Sequence, residues 1–314
     1  MDYFMIGDVH LGKKFRSKDI PMEKRGIREE ILKKRFEQYI DLAIKTNKEH
    51  RYKGVVLLGD LFDSFCVSYE DLVYAQKVLS KFEENFIQCY ILAGNHDVSK
   101  DSLRISAFSL LEELMSNCKY IKFVSGTPVS HISGNTHYIF IPYVHGVTYE
   151  EQLKPFVDKN FHTVVFGHFE EPYTDWLKSN FDEIYTGHVH LPRKEDNVTV
   201  VGSIMPFTFA EDANNQFMKT CTLEEYQTDV NNKTSEFRCY RIKLKDGEEL
   251  PAEKHCLQMS IYKEKDQEVE DNNLEVAFET FDIETLMHEA LDDLGLFEEI
   301  YKVYSEYKMA EVIA

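Results

Sequence analysis

Lys53-Gly54-Val55-Val56-Leu57-Leu58-Gly59-Asp60-Leu61-Phe62-Asp63 is the stretch from which the fold can be read. Val55 to Leu58 is a continuous apolar run, too short for a comfortable helix and closed by Gly-Asp. Such a run reads as a buried parallel strand delivering a carboxylate at its C-terminal end, the edge where open α/β sheets bind ligands. Four other segments repeat the arrangement. Tyr3 to Ile6 precedes Gly7-Asp8-Val9-His10, and Cys89 to Ala93 precedes Gly94-Asn95-His96-Asp97. His162 to Phe166 precedes Gly167-His168-Phe169-Glu170, and Glu183 to Thr186 precedes Gly187-His188-Val189-His190. Each run ends in glycine followed by a side chain able to hold a metal. Asp60 sits in the middle of the set.

Working outward, 314 residues suffice for one large α/β domain and a smaller appendage. A hydrophobic fraction of 43% and a charged fraction of 29% are those of a soluble globular protein. No run approaches the ~18 apolar residues of a membrane-spanning helix, and the N-terminus enters a strand without a secretory leader. The six cysteines form no CxxC pair, so reduced, mostly buried thiols in a cytoplasmic protein are expected. A net charge of −19 argues against general attraction to nucleic acid, but the charge is unevenly placed. Residues 13–53 carry 14 Lys/Arg against 7 Asp/Glu, whereas residues 264–314 carry 16 Asp/Glu against 3 Lys. The acidic tail thus conceals a locally basic segment.

Helical stripes separate the first strands. Ile27, Ile31, Leu32, Phe36, Ile40, Ala43 and Ile44 mark one helix between residues 26 and 50. Ser68 with Asp71 three residues on predicts a capping box, opening a helix through Leu72, Ala75, Val78, Leu79 and Phe82. A third helix is expected from about 102 to 115. From Tyr120 the pattern becomes β-rich, with runs at 120–124, 129–132 and 137–144, a short helix near 150–160, and further strands at 198–201, 218–223, 237–244 and 256–262. Alternation followed by β-rich sequence asks for sheets covered by helices. At the C-terminus, 263–281 reads as a charged linker. Asp282 is a helix N-cap, Gly295 a stop between two helices, and the pair 282–314 is strongly acidic on its polar face.

Carboxylates, imidazoles and one amide oxygen at strand ends form a mixed N/O set suited to divalent Mn, Fe or Zn. Asp-x-His and His-x-His can each offer two ligands from one turn. A central aspartate has lone pairs enough to bridge two ions, and two ions about 3.5–4 Å apart suit in-line phosphoryl displacement.

Gly-Asp-x-His, Gly-Asp-x-x-Asp, Gly-Asn-His-Asp, Gly-His-x-Glu and Gly-His-x-His, in this order, resemble the calcineurin-like metallophosphoesterases. The opening GDVHLGKKF, the GDLFD block and the later histidines are similar to the SbcD-type DNA repair and recombination nucleases, which include phage recombination endonuclease subunits. The resemblance implies a four-layer αββα sandwich over residues 1–210, with a small β-rich cap over 211–262. It implies that Asp8, His10 and His190 hold one metal, Asn95, His168 and His188 a second, and that Asp60 bridges them. His96 would contact the phosphate and Asp97 would orient His96; Asp63, where some relatives have histidine, is left outside the set. It further implies manganese-dependent exo- and endonucleolytic cleavage of DNA. The nuclease would act as a homodimer within a heterotetramer with an SbcC-type ABC ATPase, gripped by the helices of 282–314, in a bacterial or phage-infected cytoplasm and away from membranes. Two other readings stay open at this point. A phosphatase on the same fold would prefer phosphomonoesters, and a non-catalytic scaffold would lack ligands.

Overall fold

The computed structural model describes residues 2–15, 20–100, 104–212 and 214–262. The expected linker 263–281 and helix pair 282–314 lie outside the described residues.

The chain runs β1 (Tyr3–Ile6), α1 (Ile27–His50), β2 (Gly54–Leu57), α2 (Tyr69–Glu84), β3 (Cys89–Leu92), α3 (Ala107–Leu114) and β4 (Ile121–Val124). These four strands form one parallel sheet in the order β1-β2-β3-β4. Next come β5 (Val129–Ser133), β6 (Thr136–Phe140), α4 (Tyr149–Leu153), β7 (His162–Gly167), α5 (Asp175–Asn180), β8 (Glu183–Thr186), β9 (Arg193–Glu195) and β10 (Val198–Val200). They build a second sheet ordered β5-β6-β7-β8-β10-β9, antiparallel at both ends and parallel in the middle.

Three buried clusters define the layers. Val55 and Leu57 face the helices, packing with Leu32, Phe36 and Ile40 of α1 and with Ala75, Val78 and Leu79 of α2. Val56 and Leu58 point the other way, against Tyr138, Phe140, Val164 and Phe166 of the second sheet. The second sheet's far face, through Ile139, Val165, Ile184 and Val198, is covered by Leu153 of α4 and Leu177 of α5. Alternate residues of β2 therefore enter different cores, which is why the run is apolar throughout. The architecture is the four-layer αββα sandwich that the resemblance implied.

Local chemistry sets the helix boundaries. On α1, Leu32, Phe36, Ile40 and Ala43 recur three or four apart and are all buried; full burial of a side chain the size of Phe36 contributes about 1.5–3 kcal/mol. The Ser68 hydroxyl accepts the Asp71 N–H at 3.2 Å, as a helix cap should. The reciprocal half of the expected box is replaced: the Asp71 carboxylate accepts the Ser68 hydroxyl at 2.6 Å and pairs with Lys33 of α1 at 2.8 Å. The cap thus fastens α2 to α1.

Residues 218–261 form a third sheet, β11 (Met218–Thr222), β12 (Cys239–Lys243) and β13 (Gln258–Ile261), with α6 (Leu223–Asn231) between its first two strands. Its strands are parallel, and α6, which the β-rich reading did not anticipate, is the crossover such a pair requires. Phe217, Met218, Cys239 and Leu257 pack into the core around α1. Buried Arg28 of α1 donates to the Phe207 carbonyl at 3.2 Å and to Gln258 Oε1 at 3.0 Å.

Candidate metal centre

The C-terminal ends of β1, β2, β3, β7 and β8 meet along one edge of the sandwich, so the five Gly-led motifs converge. His10, Asp60 and His188 take left-handed backbone conformations, with φ of 53°, 48° and 76°. Non-glycine residues adopt this region rarely, and it clusters at functional sites. The glycines answer to crowding. At Gly59, φ is +98° and an added Cβ would lie 2.4 Å from His168 Nδ1; at Gly94 it would lie 2.2 Å from Asp60 Oδ1. At these two positions glycine is required because a metal-capable side chain from another strand end occupies the space of a Cβ, whereas at Gly7 the Gly202 carbonyl does so.

Donor atoms gather in groups. Asp8, His10 and His190 form one, and Asp60, His168 and His188 another. A third joins His10, Asp60 and His96, with the atoms of each group within 4.8 Å of one another. His10 Nε2 and His190 Nε2 are 3.1 Å apart. Asn95 Oδ1 lies 2.8 Å from His168 Nε2 and 3.1 Å from His188 Nδ1. Asp60 Oδ2 stands between the groups, 3.3 Å from His168 Nε2 and 3.6 Å from His10 Nε2. Its other oxygen accepts the His96 N–H at 2.9 Å, which fixes the carboxylate plane. Ligands about 2.1 Å from one small divalent ion sit roughly 3 Å apart at right angles, so these spacings suit two ions sharing Asp60. All seven sequence-predicted ligands, Asp8, His10, Asp60, Asn95, His168, His188 and His190, are brought to this one place.

Outer contacts orient the imidazoles. His10 Nδ1 is 3.1 Å from Asp63 Oδ1, and His190 Nδ1 is 3.3 Å from Glu211 Oε1. His168 Nδ1 donates to the Leu58 carbonyl at 2.8 Å. A carboxylate or carbonyl behind a histidine fixes the tautomer and frees the other nitrogen's lone pair for a metal. Asp63, left outside the set by the sequence reading, therefore supports His10, and it also pairs with Lys13 at 2.9 Å.

Asp97 is a correction. Its carboxylate accepts the backbone N–H groups of Leu61, Phe62 and Gly94 at 3.2, 2.9 and 2.9 Å. It ties the β2 and β3 loops together, and the His96 ring is held instead by the Asp63 carbonyl at 2.7 Å from Nδ1. Glu211 was missed altogether. It lies one residue past the expected end of the main domain, in a loop with no strand-end motif to mark it.

Electrostatics agree with a cation-binding chamber. Asp8 and Asp60 are buried. Burial pushes the Asp8 carboxyl up, partly countered by His168. For Asp60 burial acts upward too, but His168, His10 and His96 outweigh it and hold the carboxyl below its usual range. Burial would lower His168, yet Asp60 and Asp8 beside it lift it to about 10. His188 is pushed down to about 4 by burial and by His168, and His10 is lowered chiefly by burial. Two buried carboxylates call for positive charge, while His10 and His188 stay neutral, the form that ligates.

Across residues 1–221 the sequence matches the family model described as calcineurin-like phosphoesterase. The chain belongs to that family. Membership implies a centre for two divalent metal ions. The phosphoesterase is 28% identical over 153 residues to the DNA double-strand break repair protein Mre11 of Methanocaldococcus jannaschii, covering 49% of this chain and 37% of that one. It is 26% identical over 235 residues to Mre11 of Methanopyrus kandleri, covering 66% and 49% respectively. The match thus spans between about a third and a half of these curated relatives. Among solved structures, the Pseudomonas putida nuclease MPE aligns over 66% of this chain and 76% of that one, at 14% identity and a TM-score of 0.35.

Glu211→Gln keeps an acceptor for the Phe207 N–H, which Glu211 Oε2 holds at 2.7 Å, but removes the charge behind His190. Metal affinity should fall about 10- to 100-fold, read by calorimetric titration with manganese. Unchanged affinity would remove Glu211 from the centre.

Proposed function

We propose that this phosphoesterase is a manganese-dependent DNA nuclease hydrolysing phosphodiesters at a dinuclear centre. The observation that carries it is Asp60, whose Oδ2 stands between two groups of metal-capable side chains. Asp8, His10 and His190 would hold one ion, Asn95, His168 and His188 the other, and Asp60 both. When bound, two such ions supply an activated water and neutralise charge on the phosphate oxygens.

The chain's own groups do the rest. His96 is exposed at the rim, and its Nδ1–H is committed to the Asp63 carbonyl. That leaves Nε2 to meet a phosphate oxygen and, when the ring is the doubly protonated imidazolium, to donate its proton to the departing one. Asp97 holds steady the loops bearing Asp60 and Asn95 through its three N–H contacts. Lys13, paired with Asp63 and over the Phe207 ring at 5.1 Å, brings a cation of the basic segment 13–53 to the rim, where DNA phosphates would be neutralised.

DNA as substrate is supported by the Mre11 relatives, named as DNA double-strand break repair proteins. The proposal extends to a homodimer within a heterotetramer and to an SbcC-type ABC ATPase engaged through residues 282–314. Exposed Tyr69, Val73, Leu110 and Leu114 on α2 and α3 suit a helix-bundle contact between copies. A cytoplasmic site of action fits six free cysteines, and no helix among the described residues is long and apolar enough to cross a membrane.

The test is cleavage of end-labelled duplex and single-stranded DNA in manganese, with and without the ATPase. A product ladder is expected. No cleavage of any DNA under these conditions, or turnover of a phosphomonoester far above a diester, would overturn the nuclease reading.

A further inference from the structure

Phe207 stands behind the candidate ligands of one ion, and its contact with Lys13 does not account for its position there. Its buried ring meets the His10 and His190 rings nearly at right angles, 80° and 76°, with centroids 5.2 Å away in each case. Among the described residues it makes no such contact with His168 or His188, whose rings pack against each other. Phe15, which closes the GDVHLGKKF opening, lies stacked against Phe207 at 6.2 Å.

Charged side chains hold both backbone polar groups of Phe207. Glu211 Oε2 accepts its N–H at 2.7 Å, and Arg28 Nη2 donates to its carbonyl at 3.2 Å. The Arg28 guanidinium also sits 3.8 Å from the centre of the Phe15 ring, so it reaches Phe207 by two routes. Arg28 is buried, and both its acceptors, the Phe207 carbonyl and Gln258 Oε1, are uncharged. Its Nε has no hydrogen-bond partner among the described residues. A guanidinium buried in this way recovers little of its lost hydration, and an apolar side chain would fill the same space at lower cost. What the guanidinium adds is direction, because its planar fork pins one carbonyl and stacks on one ring.

We propose that Phe207, clamped by Arg28 and backed by Phe15, is a positioning residue for one of the two metal sites. Its ring holds the His10 and His190 imidazoles at the angle that brings their Nε2 atoms to 3.1 Å. Asp63 and Glu211 fix the same two rings from Nδ1. An imidazole tied only through Nδ1 can still swing about that hydrogen bond, and a third ring packed across it removes the freedom. The inference rests on the assignment of His10 and His190 to one ion and adds what keeps them in place. Because Phe207 meets neither His168 nor His188, the other site does not depend on it.

The experiment is calorimetric titration with manganese of the full chain as wild type, Phe207→Leu, Arg28→Met and Arg28→Lys, each also melted free of metal. Leucine keeps the position apolar without the ring, and methionine removes the donors of Arg28 while keeping an unbranched apolar stem. Phe207→Leu and Arg28→Met should each weaken one manganese affinity about 10-fold and leave the other unchanged. Arg28→Lys, which retains a donor for the Phe207 carbonyl, should recover part of that loss. In a His190→Ala background, where the same site is already emptied, Phe207→Leu should leave the remaining affinity as it was. Should Arg28→Met not fold, Phe207→Leu decides alone. Equal weakening of both sites, or both affinities intact beside a lowered melting temperature, would make Phe207 and Arg28 packing residues and overturn the inference, with the dinuclear reading still standing. If the wild type itself binds fewer than two manganese ions, the dinuclear reading falls and this inference with it.

Discussion

Asp60→Asn is expected to lower manganese-dependent cleavage about 10³-fold or more and to weaken both metal sites together. The bridging position follows from Oδ2, 3.3 Å from His168 Nε2 and 3.6 Å from His10 Nε2. Shared charge stabilisation by two ions is worth several kcal/mol in the transition state, and each 1.36 kcal/mol is tenfold in rate. Asparagine is chosen because its amide oxygen can still accept the His96 N–H that Asp60 Oδ1 now holds at 2.9 Å. The loop should then persist, as unchanged circular dichroism and thermal melting would show. Calorimetric titration should find both manganese affinities reduced, whereas His190→Ala should first empty one site. An Asp60→Asn protein with both metals and full activity would refute the dinuclear assignment.

His96→Ala should behave differently, losing about 10²- to 10⁴-fold in kcat, the range of a positioned acid or base, while keeping both metals. The distinction matters because His96 also falls within 4.8 Å of donor atoms on His10 and Asp60, so proximity alone allows it to ligate. Exposure at the rim and an Nδ1–H committed to the Asp63 carbonyl favour the substrate-facing role. Its removal also loses the hydrogen bond to the Asp63 carbonyl, a change in stability of about 0.5–1.5 kcal/mol. If manganese affinity falls in step with kcat, His96 is a ligand and the proton donor must be sought elsewhere.

Much of the fold was legible because the signal is local. A strand buried on both faces must be apolar at every position, and the five runs ending at Ile6, Leu58, Ala93, Phe166 and Thr186 all correspond to observed strands. Ser68 marks the start of α2 because a hydroxyl at that position satisfies a helix N–H that would otherwise go unpaired. The switch between sheets was not legible. β4 and β5 are adjacent β-like runs separated by a turn, yet β4 completes the first sheet and β5 begins the second. Nothing in a six-residue window specifies which edge a strand will join. Helix α6 was missed for a related reason: its Leu223, Tyr226 and Val230 pack against strands distant in sequence, so its short stripe carries little weight alone.

The candidate centre divides along the same line. By itself the sequence determined that five glycine-led strand ends would present Asp8, His10, Asp60, Asn95, His168, His188 and His190. Parallel strands place their C-terminal ends on one edge, and glycine yields where donor atoms crowd. Only the tertiary structure decided what stands behind those donors. Glu211 reaches His190 from a loop, Asp63 turns toward His10, Asp97 fastens two loops instead of orienting His96, and Arg28 holds the carbonyl of Phe207, whose ring meets His10 and His190. Those contacts depend on where loops from separate layers come to rest, and that is fixed by packing across the sandwich rather than by any periodicity along the chain.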